Sequence, residues 1–541
     1  MRAVGNAGLK QLLPLTVAAL LLAGCAQVGD LSGGPRDATP PQLLEAYPPN
    51  GSRHFNGDRI LLRFDERITL DRVRERLLVS PPLSAMPDVR LEGARQVRIT
   101  LKEPLRPSTT YSFAIGEVVK DLTEGNSASG LTYVLSTGDH LDSGMVRGRV
   151  VDAFTGSPLQ DVLVCLFDRN DTNTIRTGRP AYVTRADKDG NFTLTHIRPG
   201  DYALFGLRDQ NSNYRYDLPN EEVAFVDTVV VSAPNDSIQP LHLLRLFREE
   251  GAAQLVREAR VTPDMGWQLV LARAARHLSV RDVARTGGNL RWAVEWGAAR
   301  DTVVLWPSDT TLLGEGRYEI TVDGAVLDTL RYRPLGTPRF HNGLHAMPLE
   351  TPAGARLKMV SARPIATIDP DRFRLVLDSV PLPLVIERDS THLRTFFIDA
   401  DVPPGTTADI TVLPKAVRGI PEGHNDTLRT RFGRAAEGSL GVLQVRVRPD
   451  STVTFPLLLQ LLDAQGRVVR ESVVTATTDR IEWSHLQPGD HGLRLIEDRN
   501  ANGRWDPGAL DERRPPERVW HHADKVNVRA GWDLLVEWSL R

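Results

Sequence analysis

The chain contains 541 residues, of which 66 are lysine or arginine, 68 are aspartate or glutamate, and 41% are hydrophobic. This length predicts roughly three to five domains. A net charge of -2 gives no general attraction to nucleic acid, and two cysteines cannot cross-link so long a chain. The composition therefore excludes a disulfide-rich scaffold, a basic DNA-binding arm and a disordered polyampholyte, and we expect no nucleic-acid partner.

The N-terminus has the pattern of an export signal. Arg2 and Lys10 precede an apolar run from Leu12 to Leu22, which is shorter than the roughly 20 residues of a membrane-spanning helix. Small residues then lead to Cys25, in the order of a bacterial lipoprotein signal. We predict cleavage before Cys25 and its lipidation, which gives an exported, membrane-anchored lipoprotein. The expected membrane is the outer one, with the inner membrane as the alternative, and the sequence leaves the periplasmic and surface faces both open. The alternative is an ordinary secretory signal in which this cysteine stands by chance.

Strand signals dominate the rest of the chain. Short alternating runs such as Val97–Leu101 and Phe373–Leu377 are separated by Gly, Pro, Asn or Asp. Only 70–78 and 252–260 have patterns that suggest a helix. The sequence therefore predicts an all-β protein built of several sandwiches.

Two internal repeats set the predicted domain boundaries. The run His196–Asp201 recurs as His485–Asp490, and the spacing of 289 residues persists through the Asp/Asn-rich segment that follows. A weaker repeat relates 40–138 to 348–434. The predicted division is a signal peptide 1–24, a lipidated tether 25–39, an Ig-like domain 40–138, a sandwich 144–235, an atypical β domain 246–335, a second Ig-like domain 348–434 and a second copy of the sandwich 438–541.

Two of these segments resemble known families. Residues 33–138 resemble the bacterial Ig-like domain named after an S-layer protein, in the form found in Bacteroidetes lipoproteins. Residues 144–235 resemble the carboxypeptidase regulatory-like, transthyretin-like sandwich. The matching sequences are Gly33-Gly34-Pro35-Arg36-Asp37, Phe64-Asp65-Glu66 and Ser136-Thr137-Gly138 in the first segment, and Thr155-Gly156-Ser157-Pro158-Leu159 and Pro199-Gly200-Asp201-Tyr202 in the second. The resemblances imply a non-catalytic protein of the cell envelope and no particular ligand.

The Asp/Asn-rich segments are candidate calcium sites. Each places oxygen-bearing side chains at positions 1, 3, 5 and 9 of a tight loop and a backbone carbonyl at position 7, which suits a structural Ca²⁺ ion. Neither has the glutamate that the EF-hand pattern requires at position 12. An Asx-turn loop that caps its own backbone is the alternative. The candidate residues are Asp209, Asn211, Asn213, Arg215 and Asp217 in the first copy, and Asp498, Asn500, Asn502, Arg504 and Asp506 in the second.

No other motif predicts chemistry. The sequence has no nucleophile elbow, zinc-protease, phosphate-loop or Cys-x-x-Cys motif, so we predict no catalytic residues and no enzyme. All nine tryptophans lie at or after residue 267, and Trp505 and Trp520 are candidate glycan-binding residues. Core packing is the alternative role for them.

The sequence therefore predicts a non-catalytic lipoprotein with a structural, adhesion-like or assembly role. Its expected partners are the membrane, through the lipid, and envelope proteins or glycans. Two alternatives are open: a carbohydrate-binding lipoprotein that uses its C-terminal tryptophans, and an enzyme whose site the sequence does not reveal.

Overall fold

A computed structural model describes most of the chain. The described residues are 37–169, 174–234, 240–250, 253–284, 292–297, 299–308, 310–336, 341–351, 354–436, 438–478 and 480–540. They divide into two compact units. The first holds 37–79 and 83–141, and the second holds 80–82 and everything described from 142 onward. The predicted signal peptide and Cys25 lie outside the described residues.

The strands of the first unit surround one apolar core. Alternating side chains of one strand, Ile60, Leu62 and Phe64, are fully buried in it because every second residue of a strand faces the same side. The elements are β1 (Leu43–Tyr47), β2 (Arg59–Phe64), β3 (Ile68–Leu70), the one-turn helix α1 (Val73–Arg76), β4 (Leu78–Ser80), β5 (Asp88–Leu91), β6 (Gln96–Thr100), β7 (Thr110–Ala114), β8 (Val119–Asp121) and β9 (Thr132–Ser136). They form sheets in the orders β1-β2-β6-β5, β4-β7-β9 and β3-β8.

The second unit begins with the first copy of the long repeat, here called module A. Its strands are β10 (Gly144–Asp152), β11 (Leu163–Asp168), β12 (Tyr182–Arg185), β13 (Asn191–Ile197), β14 (Gly200–Arg208), β15 (Glu222–Phe225), β16 (Val230–Pro234) and β17 (Leu241–Leu246). Strand β10 pairs antiparallel with β13 and parallel with β17, and β14 pairs antiparallel with β11.

The cysteine of module A, Cys165 on β11, is fully buried. Burial raises the pKa of its thiol, so the thiol shows no sign of activation as a nucleophile.

The next segment packs its own core around aromatic rings. Its elements are β18 (Val256–Val261), β19 (Trp267–Leu271), β20 (Leu278–Asp282), β21 (Trp292–Trp296), β22 (Thr302–Pro307), a 3-10 turn at Thr310–Leu313, β23 (Gly316–Val322) and β24 (Ala325–Tyr332). The helix predicted over 252–260 is wrong, because 256–261 pairs antiparallel with β19. The pairing with β19 outweighs the helix propensity of its Ala, Leu, Arg and Glu residues.

The following segment has a separate core that includes Phe373, Phe396 and Phe432. Its elements are β25 (Leu344–Thr351), β26 (Gly354–Ser361), β27 (Ile365–Ile368), a 3-10 turn at Pro370–Arg372, β28 (Phe373–Leu377), β29 (Val380–Leu382), β30 (Val385–Arg388), β31 (Thr395–Ala400), β32 (Thr407–Val412), β33 (Val417–Gly419) and β34 (Leu428–Gly433). They form sheets in the orders β25-β26-β31-β30, β29-β28-β32-β34 and β27-β33.

The second copy of the long repeat, module B, ends the chain. Its strands are β35 (Gly441–Arg448), β36 (Leu457–Leu462), β37 (Val468–Val474), β38 (Ile481–Leu486), β39 (Gly489–Glu497), β40 (Val519–His521), β41 (Val526–Val528) and β42 (Asp533–Ser539). Strand β35 pairs antiparallel with β38 and parallel with β42, as β10 does with β13 and β17 in module A. The repeat in sequence is therefore a repeat in topology.

The predicted all-β class is confirmed. Strands dominate both units, and the one described α-helix has a single turn. None of the described helices is long and apolar enough to cross a membrane.

Candidate functional site

The Asp/Asn-rich loops leave the same strand in the two modules. Loop A (209–221) follows β14, and loop B (498–517) follows β39. His196 and His485, which stand before these strands, share a left-handed backbone with φ of 58° and 57°. The two loops therefore begin from equivalent positions, which explains why the spacing of 289 residues continues through them.

In loop A, the first aspartate organises the backbone. Asp209 Oδ1 accepts hydrogen bonds from the amides of Ser212 at 2.7 Å and Asn211 at 3.2 Å, and its Oδ2 accepts one from the amide of Tyr214 at 2.8 Å. Tyr214 has a φ of 64°, in the region that favours glycine. The hydrogen bond to Asp209 holds this residue in a conformation that its side chain disfavours.

Loop B has the same arrangement with less backbone strain. Asp498 accepts hydrogen bonds from the amides of Asn502 at 2.9 Å and Gly503 at 2.8 Å. Gly503 has a φ of 76° and occupies the position that Tyr214 holds in loop A. A residue without a Cβ adopts this conformation at no steric cost.

The side chains at positions 3, 5 and 9 converge in both loops. Asp217 accepts hydrogen bonds from the side-chain amides of Asn211 at 3.1 Å and Asn213 at 2.7 Å. Asp506 accepts hydrogen bonds from the side-chain amides of Asn500 and Asn502, the second at 2.7 Å. The structure thus brings together the oxygen-bearing side chains that the sequence pattern singled out.

The arginines at position 7 differ between the loops. The backbone amides of Arg215 and Arg504 donate to Asn213 Oδ1 and Asn502 Oδ1 at 2.7 and 3.0 Å. The Arg504 side chain also pairs with Asp506 at 3.2 Å. In loop B a guanidinium therefore lies against the carboxylate that a bound cation would use.

A buried glutamate closes each loop. Glu221 accepts hydrogen bonds from the amides of Gln210 at 3.1 Å and Asp217 at 2.9 Å. In loop B, Glu517 accepts from the amides of Arg499 at 2.8 Å and Asp506 at 2.9 Å, which are the equivalent positions. The repeat did not predict Glu517, because loop B makes a longer excursion before its glutamate and the spacing of 289 residues is lost there.

The surroundings of Glu517 disfavour its charge. Burial raises the pKa of the Glu517 carboxyl, and the neighbouring carboxylates of Asp506 and Asp498 raise it further. Among the described residues, no group of three His, Cys, Asp or Glu side chains is arranged to hold a metal ion. The observed hydrogen bonds are those of loops that cap their own backbone, and calcium binding stays a prediction.

The two loops line one cleft between modules A and B. The cleft has a volume of ≈ 1090 Å³. Arg176 of module A bridges Glu249 at 2.9 Å and Asp511 of loop B at 2.7 Å. Glu249 also accepts a hydrogen bond from the amide of Leu510. These contacts join residues that are far apart in sequence.

A second set of contacts joins the modules beside the cleft. The Phe154 ring packs edge-on against Trp505 with centroids 5.3 Å apart, and the Arg494 guanidinium lies 4.6 Å from its centre. The carbonyl of Phe154 accepts a hydrogen bond from His521 Nε2 at 2.9 Å. Phe154 of module A is therefore held by side chains of module B.

The two tryptophans singled out from the sequence are both half-buried. Trp505 donates its Nε1 hydrogen to the carbonyl of Glu517 at 2.9 Å and contacts Phe154. Trp520 packs against the core of module B, with the Arg518 guanidinium 5.0 Å from its ring centre. Each of them has a packing role, and glycan binding through them stays untested.

The comparisons with known proteins identify one domain. Residues 37–137 match the family model of a bacterial Ig-like domain. No curated protein matches the chain. The Ig-like part of the predicted resemblance is thus supported for the first unit, while the match covers too little of the chain to assign a family to the whole.

Three solved structures have a weak similarity to this chain, at 9–10% sequence identity. The major pilin subunit BcpA of Bacillus cereus is 9% identical, with 73% of this chain and 98% of the pilin covered and a TM-score of 0.14. The S-layer protein SbsC is 10% identical, with 90% and 67% covered and a TM-score of 0.15. The Bacillus anthracis TIE protein is 10% identical, with 94% and 76% covered and a TM-score of 0.16. Scores this low carry no argument about function.

Proposed function

We propose that this chain is a non-catalytic structural lipoprotein of the cell envelope. The observation that supports the structural role is the direct packing of module A against module B, which brings Phe154 of one module into contact with Trp505 of the other. Arg176, Phe154 and Trp505 all serve contacts between modules. An Ig-like domain in the first unit supports the same role. The proposed outer-membrane anchor is the lipid on Cys25, and the proposed partners are envelope proteins.

The anchor is tested by replacing the lipid acceptor. We expect the wild-type protein in its native host to incorporate labelled palmitate and to sediment with outer membranes. We expect Cys25→Ala to lose the label and to leave the outer-membrane fraction, because the substitution removes the thiol that would carry the lipid. Cys165→Ala is the matched control, since that thiol is buried, and it should remain in the membrane fraction. Retention of the label by Cys25→Ala would contradict the proposal.

A second experiment tests on which side of the outer membrane the protein lies. Treatment of intact cells with protease distinguishes a surface protein, which is digested, from a periplasmic one, which is protected until the outer membrane is opened. We expect digestion in intact cells if the modules serve adhesion. Protection would restrict the proposed role to assembly or support within the periplasm.

We further propose that loop B binds a structural Ca²⁺ ion. Binding would require Asn500 and Asn502 to give up their hydrogen bonds to Asp506 and to turn their amide oxygens toward the ion. It would also require the Arg504 guanidinium to leave the Asp506 carboxylate. We expect millimolar Ca²⁺ to raise the melting temperature and a chelator to reverse the increase, because an ion that binds only the folded state stabilises it.

The variants that test calcium binding are Asp498→Ala and its counterpart Asp209→Ala in loop A. Both remove hydrogen bonds to the backbone, so both should lower the melting temperature without calcium. The decisive quantity is the increase in melting temperature that calcium causes. We expect Asp498→Ala to abolish it and Asp209→Ala to preserve it, since only loop B has glycine at its sixth position. No calcium effect on the wild-type protein would refute the proposal.

A further inference from the structure

Module B has an open groove on the side formed by β41 and β42. Its volume is ≈ 410 Å³. Val526, Leu534 and Val536 form an apolar floor, and Leu534 and Val536 are only partly buried. Strand β42 is the edge of its sheet, since the strand order is β38-β35-β42. The groove is thus a preformed depression with an apolar base, which is the usual form of a small-ligand site.

An exposed tryptophan stands at one end of this groove. Trp532 is 63% exposed, whereas Trp505 and Trp520 are half-buried. Its carbonyl accepts a hydrogen bond from the amide of Val442 at 2.9 Å, and its amide donates to the carbonyl of Arg529 at 3.3 Å. These bonds fix the main chain of Trp532, and its side chain extends into a largely exposed position.

The polar rim of the groove is basic. Lys525 and Arg529 are exposed, and neither forms an ion pair among the described residues. The Arg529 guanidinium lies 5.5 Å from the centre of the Trp532 ring, on one face of it. The remaining polar lining residues are His522 and Asn527, and no carboxylate lines the groove. The rim therefore carries the positive charge of Lys525 and Arg529, while one carboxylate outside the groove, that of Asp490, contacts the lining residue Asn527.

Contacts within module B hold the side chains of Asn527 and His522 in place at the rim. Asn527 donates its side-chain amide to Asp490 at 2.7 Å. His522 donates its Nδ1 hydrogen to the carbonyl of Asp524 at 2.8 Å, and its ring packs edge-on against Trp538 at 5.3 Å. These side chains are held by module B itself, so a ligand would meet an arrangement that needs little reorganisation.

We propose that this groove binds an acidic saccharide through Trp532. The C–H groups on one face of a pyranose ring carry a partial positive charge, which complements the negative face of an indole. A carboxylate on the sugar would pair with Lys525 or Arg529, which form charge-assisted hydrogen bonds with carboxylates. The site adds a binding activity to the proposed structural role and does not depend on the lipid at Cys25.

An extended peptide is the competing occupant. The free edge of β42 could accept a further strand through its backbone. The exposed indole and the two exposed cations favour the saccharide. A strand added to β42 would pair along its backbone and would not require an aromatic platform or a basic rim. The experiment therefore includes a peptide as a second arm.

The test is titration calorimetry of the full chain with defined probes. Three acidic trisaccharides, made of galacturonate, mannuronate and glucuronate, are compared with neutral galactose, mannose and glucose trisaccharides of the same linkage. We expect at least one acidic probe to bind about tenfold more tightly than its neutral counterpart. We expect Trp532→Ala to weaken that binding about tenfold or more. The double variant Lys525→Ala, Arg529→Ala should lose the preference for the acidic sugar.

The matched control is Leu535→Ala, which removes a 49% exposed apolar side chain from the opposite face of β42. It should bind as the wild-type protein does, and the melting temperatures of all variants should show that module B is folded. The proposal is overturned if none of the three acidic probes binds at millimolar concentration, or if Trp532→Ala binds unchanged. Tighter binding of an acidic extended peptide than of any sugar would also overturn it, in favour of strand addition at β42.

Discussion

Replacement of Glu497 by glutamine is expected to lower the free energy of unfolding of module B by about 3–5 kcal/mol. Glu497 ends β39 and is fully buried. Its carboxylate accepts hydrogen bonds from Arg518 at 2.8 and 2.9 Å, from Arg499 at 3.0 Å and from the Thr454 amide at 2.9 Å. Loss of the charge would leave two guanidinium groups without their shared partner, which accounts for the size of the effect.

The same carboxylate should make stability depend on pH. Hydrogen bonds from Arg518 and Thr454 overcome the effect of burial and lower the pKa of Glu497 from 4.5 to about 2. Because the pKa is lower in the folded state than in the unfolded state, the stabilisation is complete above pH 4.5. It is lost as the pH falls toward about 2. Melting temperatures measured between pH 7 and pH 3 should fall less steeply for Glu497→Gln than for the wild-type protein.

A matched control is available in the same module. Glu537 also pairs with two arginines, Arg446 and Arg448, but its side chain is 47% exposed. Exposed ion pairs contribute about 0–1 kcal/mol, so Glu537→Gln should change the melting temperature little. Equal effects of the two variants would show that burial of Glu497 does not set the strength of its interactions.

A valine in place of Gly508 is expected to separate modules A and B locally. A Cβ at this position would collide with the Phe247 ring of module A and would lie 2.8 Å from the carbonyl of Arg514. Overpacking of this kind costs about 1–3 kcal/mol. We expect faster hydrogen exchange at loop B and a red shift of the Trp505 fluorescence, because Trp505 would lose its contact with Phe154.

Two further variants separate loss of docking from damage to loop B. Phe154→Ala changes only module A, and it should also expose Trp505 while leaving the hydrogen bonds within loop B intact. Gly314→Ala is the control for adding a methyl group, since nothing lies within 4 Å of its Cβ position, and it should behave as the wild-type protein. Unchanged Trp505 fluorescence in both Gly508→Val and Phe154→Ala would contradict the docking of the two modules.

The sequence allowed parts of the candidate site to be predicted in detail. The oxygen-bearing residues of the Asp/Asn loops were found from their spacing, and the structure brings their side chains together. Glu517 was missed because its partner in loop A, Glu221, stands at a different distance along the chain. The helix expected over 252–260 was wrong because cross-strand pairing with β19, which local sequence does not report, decides that segment.

The sequence also gave no indication that modules A and B touch. Arg176 and Asp511, or Phe154 and His521, are hundreds of positions apart and have no shared motif, so only the packed structure relates them. For the same reason, sequence reasoning could count the tryptophans but could not rank them by exposure. Trp532, which it did not single out, is the exposed one.

By itself, the sequence determined the all-β class, the duplicated module and the position of its loops. These properties follow from short-range alternation and from a constant repeat spacing, which local steric and hydrophobic preferences encode directly. Only the tertiary structure decided which loops and aromatic rings are shared between modules and which remain in solvent. Whether a side chain is buried between modules or exposed depends on contacts between residues that are far apart in the chain. Those contacts form only when the protein folds, so local sequence patterns do not reveal them.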